Sequence, residues 1–447
     1  MSNVRSREAF APGSPSGTAS RAVPRLSRAA GAGATALHNG PMSFTPASAP
    51  ASIRSRARLA PESVVLLAGV CAALHVGKLP PAIPALQQAL GLTLVQAGFL
   101  LSLVQLAGMA AGCAFGALAD GLGLRRSMAL GLGILALASA LGALVDGAVP
   151  LLALRAVEGL GFLLAVLPGP GLLRQLVPPQ RVNAVLGLWG TYMPLGTALA
   201  LLSGPALIAA LGWRGWWLMV AAASAAMAWW LTRAVPALAP AGPSAGLQAL
   251  WGRLRHTLGS AGPWLVAATF AAYSSQWLAV VGFLPAIYAH SGVPAGLAGV
   301  LTALVAAVNM VGNIASGRAL QRGVAPTRLL VLGFVVMALT AGAAFAGPAD
   351  AGLPPALRYV AVLLFSMVGG VIPAALFSLA VRLAPNEQAV STTVGWVQQW
   401  SALGQFAGPP LVSWLATRVG GWHWTWAATG ALASAGLLLA WRLARRL

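Results

Sequence analysis

Gly116-Ala-Leu-Ala-Asp120-Gly-Leu-Gly123-Leu-Arg125-Arg126 is a charged interruption between two long apolar runs. Each flanking run is about 20 residues, the length a helix needs to cross the hydrocarbon of a bilayer. The stretch is therefore a short connection between two membrane helices, and two readings of it are open. It is a tight basic loop held on the cytoplasmic side, or its glycines let two helix ends approach while Asp120 caps or pairs with a neighbouring helix end.

Composition extends that reading to the whole chain. Of 447 residues, 58% are hydrophobic and 8% charged, a balance that leaves a soluble domain without a polar surface. The apolar runs lack the short alternation of barrel strands, so they read as helices. Twelve follow one another, at roughly 62–84, 94–118, 127–146, 150–174, 182–210, 214–232, 263–288, 295–318, 327–346, 354–382, 388–416 and 422–441. The net charge of +20 does not point to nucleic acid, because the arginines cluster at the ends of these runs. With twelve spans, one side of the membrane collects fourteen arginines: 125, 126, 174, 181, 233, 253, 255, 318, 322, 328, 382, 442, 445 and 446. The other side holds three, Arg214, Arg358 and Arg418. That asymmetry places both termini in the cytoplasm of a cell whose inner or plasma membrane holds the chain.

Residues 1–60 carry eight arginines among Ala, Ser, Pro and Gly, and read as a disordered basic tail. An organellar transit peptide, or a true start at Met42, competes with that reading. Beyond the tail, the expected organisation is a six-helix bundle at 61–233, a cytoplasmic linker at 234–262, a second six-helix bundle at 263–441 and a short cytoplasmic end at 442–447. The halves share landmarks about 200 residues apart. Pro81-Ala-Ile83 returns as Pro285-Ala-Ile287, Gly123 as Gly323, and Gly212-Trp213 as Gly421-Trp422. Duplicated bundles of this kind form a solute site between two halves that rock to alternate access. In the second copy of the opening stretch Leu320 stands where the acid was, which leaves Asp120 to act alone.

Charge inside the spans is sparse, which makes each instance informative. Lys78, the sole lysine, follows His75 by one turn and precedes Pro80, Pro81 and Pro84. It either snorkels to the interface or lines a pathway. Arg155 and Glu158 share a face of the fourth span, at a depth similar to that of Lys78. Taken together the three leave one net positive charge, which suits a small carboxylate, with protonation of Glu158 increasing the attraction. A purely structural ion-pair network is the alternative. Tyr192, Gln276, Asn309 and Gln399 are further polar groups on later spans, read either as solute contacts or as interhelical ones.

Two motifs carry a resemblance. The opening stretch resembles the signature G-x-L-A-D-x-x-G-R-R of the major facilitator superfamily, with Gly116, Asp120, Gly123, Arg125 and Arg126 as the gating motif. Arg155-Ala-Val-Glu158-Gly159-Leu-Gly161 resembles its fourth-helix motif R-x-x-Q-G-x-G, linked to proton transfer, with Glu in place of Gln. The resemblance implies an all-α membrane protein of twelve transmembrane helices in two pseudo-symmetric six-helix bundles, with helices one and four on a central cavity. It also implies proton-coupled movement of a small solute by alternating access, through a monomer in the lipid bilayer. Gly204-Pro205-Ala-Leu-Ile-Ala keeps only a fragment of the family's antiporter motif, which favours uptake over drug efflux. Pro194-Leu-Gly196 and the altered second motif are loosely similar to the cyanate and nitroimidazole transporters.

Other chemistries find no support. Gly77-Lys78-Leu79 lacks the glycine and hydroxyl residue of a phosphate-binding loop, the five histidines form no ligand spacing, and Cys71 and Cys113 sit singly in spans as packing residues. No enzyme site, metal or cofactor is expected.

Overall fold

The computed structural model describes residues 59–112, 123–237, 247–347 and 352–447. Gly116, Asp120, Cys113, nearly all of the basic tail and the middle of the linker lie outside them. The described residues 59–447 fall in a single compact unit. Among them, ten helices are long and apolar enough to cross a membrane. One of these, over Pro179–Ala234, holds both the fifth and the sixth span, since Gly212 breaks it with φ 70° and ψ 171°. A further helix, Val390–Val419, is 30 residues long but diluted by Gln398, Gln399, Ser401 and Gln405. Together these make the twelve expected spans.

Several spans are broken where the sequence read them as continuous. α1 (Pro61–Gly77) begins with Pro at its first position and Glu62 in its first turn, both suited to a helix start. It ends because Pro80 and Pro81 have no N–H to offer the carbonyls of Val76 and Gly77. The chain makes one 3₁₀ turn, resumes as α2 (Ile83–Leu90) and stops at Gly91, whose φ of 64° suits glycine. A capping box, in which Thr93 and Gln96 exchange backbone and side-chain bonds, starts α3 (Leu94–Gly112).

α4 (Leu124–Gly142) follows. The fourth span splits into α5 (Ala148–Val166) and α6 (Gly169–Leu176) around Leu167 and Pro168, and the fifth has a separate first piece, α7 (Pro179–Trp189). Then comes α8 (Tyr192–Ala234), the kinked double span. Pro194 therefore sits in the first turn of this helix. The expected linker contains the short helix α9 (Leu247–Leu258).

The second half runs α10 (Ala261–His290), α11 (Ala295–Gln321) and α12 (Pro326–Phe345). The tenth span is broken at Gly370 into α13 (Pro355–Gly369) and α14 (Val371–Arg382). α15 (Val390–Val419) and α16 (Thr425–Ala444) complete the chain.

Equivalent helices pack in both halves: α1 on α8 as α10 on α15, α4 on α5 as α12 on α13, and α4 on α8 as α12 on α16. Gly123 and its counterpart Gly323 even share a positive φ, at 83° and 84°, which glycine adopts without strain. Leu137, Val149 and Leu339 stay well over half exposed on helix exteriors, while serines and threonines such as Ser139, Ser224 and Thr302 are fully buried. That distribution is the reverse of a soluble core and fits a lipid-facing surface.

Between the halves, α3 lies along α15 and α8 along α11. The α3 seam is close because Gly108 and Gly112 face Ala402 and Gln399. Gln105 donates to Gln405 across it at 3.0 Å, and Gln399 to the carbonyl of Met109 at 2.8 Å. At the arginine-poor end the two halves close over an apolar cluster. There Leu79, Ile83 and Leu86 gather with Phe283, whose ring packs 5.0 Å from that of Trp422.

Candidate functional site

His75, Lys78, Arg155 and Glu158 come together, each at most 3% exposed. Lys78 arrives at the end of α1, where the 3₁₀ turn leaves its carbonyl without an intrahelical partner, because the Ala82 N–H bonds to the Leu79 carbonyl instead. The indole N–H of Trp216 supplies one at 2.9 Å and anchors the backbone. On α5, Arg155 and Glu158 occupy one face while the glycines of the same motif sit against the neighbours. A Cβ on Gly159 would stand 2.8 Å from the Leu103 carbonyl oxygen, and one on Gly161 would stand 2.8 Å from that of Gly131. The motif is thus two devices in one, charges for the network and small residues that bring α5 close to α3 and α4.

Glu158 is the hub. One carboxylate oxygen accepts from Lys78 Nζ at 2.5 Å and lies 3.7 Å from His75 Nδ1, and the other accepts from Arg155 Nη1. Lys78 Nζ also donates to Ser139 Oγ at 2.7 Å, and that hydroxyl in turn donates a hydrogen bond to the Trp217 carbonyl at 3.0 Å. The ammonium sits 4.8 Å from the Trp217 ring centroid, a cation–π distance. His75 Nε2 meets Ser224 Oγ at 2.8 Å, and Cys71 Sγ is 3.6 Å from the same hydroxyl. Arg155 Nε donates to the Leu100 carbonyl at 2.9 Å, but its Nη2 has no protein partner. Beside it is a void of about 10 Å³ lined by Arg155, Glu158, Leu79, Leu100 and Trp217, large enough for one water.

Of the two readings of Lys78, snorkelling fails, since the side chain is fully buried and ion-paired. The charges also point into the first six helices, toward Ser139 on α4 and Ser224 on α8, rather than toward the seam with the second half. Ser139, Ser224 and Trp217 were not singled out from sequence. A serine in an Ala- and Leu-rich run carries no mark of the distant partner it meets.

The second polar set is dispersed. Asn309 ties three helices of the second half, donating to Tyr273 Oη at 3.1 Å and to the Ser366 carbonyl at 2.8 Å. Gln276 is fully buried and spends its amide on the Ala272 carbonyl of its own helix, leaving Oε1 without a protein partner. Tyr192 is half-buried against Trp189, ring centroids 4.8 Å apart. Among the described residues these three make no hydrogen bond to one another. Gln399 lies on the seam, joined there by Gln105 and Gln405, which the sequence reading passed over. Of the gating motif, Arg125 donates to the carbonyls of Thr232 and Val235 and so closes the end of α8, while Arg126 is exposed. Among the described residues no cluster of His, Cys, Asp and Glu suits a metal ion.

Comparison with known proteins bears on the whole of this arrangement. The sequence model described as Major Facilitator Superfamily matches residues 65–404. A stretch of 98 residues, 22% of the chain, is 33% identical to the uncharacterized MFS-type transporter Rv1250 of Mycobacterium tuberculosis (strain ATCC 25618 / H37Rv), and the match spans 17% of that protein. The chain also superposes on the crystal structure of a bacterial homolog to the human lysosomal transporter Spinster, in inward-facing and occupied conformation. The TM-score is 0.71 at 15% identity, covering 86% of this chain and 96% of that one. The inward-facing and unoccupied form of the Spinster homolog gives 0.67 at 16% identity, over 87% and 98% of the two chains. At these identities the likeness is one of fold.

Proposed function

The chain belongs to the major facilitator superfamily, a family of membrane transporters and not of enzymes, and on that premise we propose that it is a proton-coupled secondary transporter of a small organic anion, working by alternating access. One observation carries the reading: a single buried carboxylate, Glu158, compensates two buried cations, Lys78 and Arg155. A proton on Glu158 would leave both cations without a counter-charge at low dielectric, a cost of several kcal/mol. A solute carboxylate entering the interior offsets that cost, so proton and anion favour each other's binding. With Glu158 ionised the cluster still keeps one net positive charge, and its field is little screened inside the protein. Gln399 with Gln105 and Gln405 on the seam, and the open Oε1 of Gln276, are the groups we assign to the solute. The loose likeness to cyanate and nitroimidazole transporters agrees with a small substrate.

We assign the arginine-rich end to the cytoplasm of the inner or plasma membrane, with both termini there and the chain acting as a monomer. On this assignment the closed apolar cluster around Phe283 and Trp422 is the outer gate. The test is reconstitution of the full chain in liposomes under an imposed proton gradient, with a panel of organic anions chosen by thermal shift at two pH values. Accumulation that collapses with a protonophore supports the reading. Equal uptake with and without the gradient overturns it.

The sequence of the gating motif supports a further expectation. Asp120→Asn should leave the thermal shift by solute intact while slowing transport severalfold. Loss of solute binding itself would contradict a gating role.

A further inference from the structure

At the arginine-rich end, a cavity of about 600 Å³ opens between the start of α10 and the end of α16. It is lined by Ala261, Trp264, Trp441, Arg442, Arg445 and Arg446. Arg442 sits in the last turn of α16 and Arg445 and Arg446 in the turn that follows it, and all three line this one cavity. Among the described residues none of the three is ion-paired. The Arg445 guanidinium lies 3.6 Å from the Trp441 ring centroid. Stacking of this kind occupies the face of the guanidinium and leaves its N–H edge free to donate in plane, the geometry that suits a phosphate.

Trp264 is fixed from the other side. Its indole N–H donates to the Leu258 carbonyl at 2.8 Å, and its ring packs edge-on against Trp396 and Trp400. It remains 39% exposed and Trp441 47%, two indoles at the helix ends where bilayer and water meet. The first turn of α10, which has no side-chain cap, adds unsatisfied backbone N–H groups beside Ala261. Arginines serving only as topological anchors would project separately into water; here three converge with two indoles on one cavity.

The geometry points to a binding site for the headgroup of an anionic phospholipid, its phosphodiester held by Arg442, Arg445 and Arg446 and its glycerol region packed between Trp264 and Trp441. Basic pockets between membrane helices take such headgroups, each arginine near the surface strengthening retention about fivefold. The cavity, at about 600 Å³, has room for a headgroup and its glycerol region as well as the phosphate.

Native mass spectrometry of the full chain, exchanged into detergent containing phosphatidylglycerol or phosphatidylcholine, tests this. Wild type is expected to retain phosphatidylglycerol about tenfold or more over phosphatidylcholine. The triple change Arg442→Gln, Arg445→Gln and Arg446→Gln should remove the preference. The control Arg318→Gln, Arg322→Gln and Arg328→Gln, an equal charge loss elsewhere on the arginine-rich side, should keep it. Equal loss in both triples, or equal retention of both lipids by wild type, overturns the site. Displacement of the lipid by millimolar inorganic phosphate would assign the cavity to a soluble anion and overturn it as well. Should the triple change fail to fold, Arg445→Gln and Arg446→Gln singly are each expected to weaken retention about fivefold; no change in either would overturn the assignment.

Discussion

Proteoliposomes carrying Glu158→Gln are expected to show no proton-driven accumulation of solute. Gln keeps the size of the side chain but neither takes up a proton nor compensates Lys78 and Arg155, which are 0% and 3% exposed. Truncating one member of a buried ion cluster typically costs 3–5 kcal/mol, so the variant should also melt lower, and stability must be separated from coupling. Exchange of labelled for unlabelled solute without a gradient makes that separation, because it requires a folded, moving protein but no net proton movement. The expected result is retained exchange with lost accumulation.

A double change sharpens the point. Lys78→Gln with Glu158→Gln removes one cation along with the carboxylate, so it should recover part of the lost stability while leaving coupling absent. Recovery of accumulation in the double variant would show that the network is only structural.

The second large effect concerns packing. Gly131→Leu is expected to abolish a well-behaved fold, because a Cβ there would stand 2.6 Å from the Gly161 carbonyl oxygen and press on the backbone of Ala165. The two helices meet glycine to glycine, as membrane helices do where backbones approach closely. Backbone cannot yield as a flexible side chain does, so the cost should reach about 3 kcal/mol or more. Gly133→Leu, two residues along the same helix, meets no neighbour within 4 Å, and should change stability by no more than about 0.5 kcal/mol. Melting of both variants by fluorescence-detected size exclusion gives the comparison. Similar losses in the two would mean that Leu is tolerated poorly anywhere on α4 and that the crossing is not the cause.

These two experiments fall on either side of what was readable from residues alone. The twelve spans were legible because hydrocarbon demands about 20 apolar residues and satisfies no stray backbone group. The breaks at Pro80 and Gly370 fall inside runs read as continuous, because hydropathy does not register a missing donor or a weak helix former; the join of α8 across Gly212 was not legible either, because one residue at positive φ redirects the chain between two helical stretches. Span eleven was legible as a run, yet its glutamines place it on the seam, a fact that hydropathy alone obscures.

For the candidate site, sequence by itself determined which charges lie in the spans and, through helical spacing, that Arg155 and Glu158 share a face. Equal depth also brought Lys78 within reach of Glu158. Direction was decided only in the tertiary structure. Which way α1 and α5 rotate depends on the glycine contacts of Gly159 and Gly161 with α3 and α4 and on the Trp216 bond to the Lys78 carbonyl. Those contacts join residues 26 to 138 positions apart, and they turn the network toward Ser139 and Ser224 inside the first half. A membrane span announces itself through its solvent; its rotation is set by the shape of its neighbours, and no local pattern carries that.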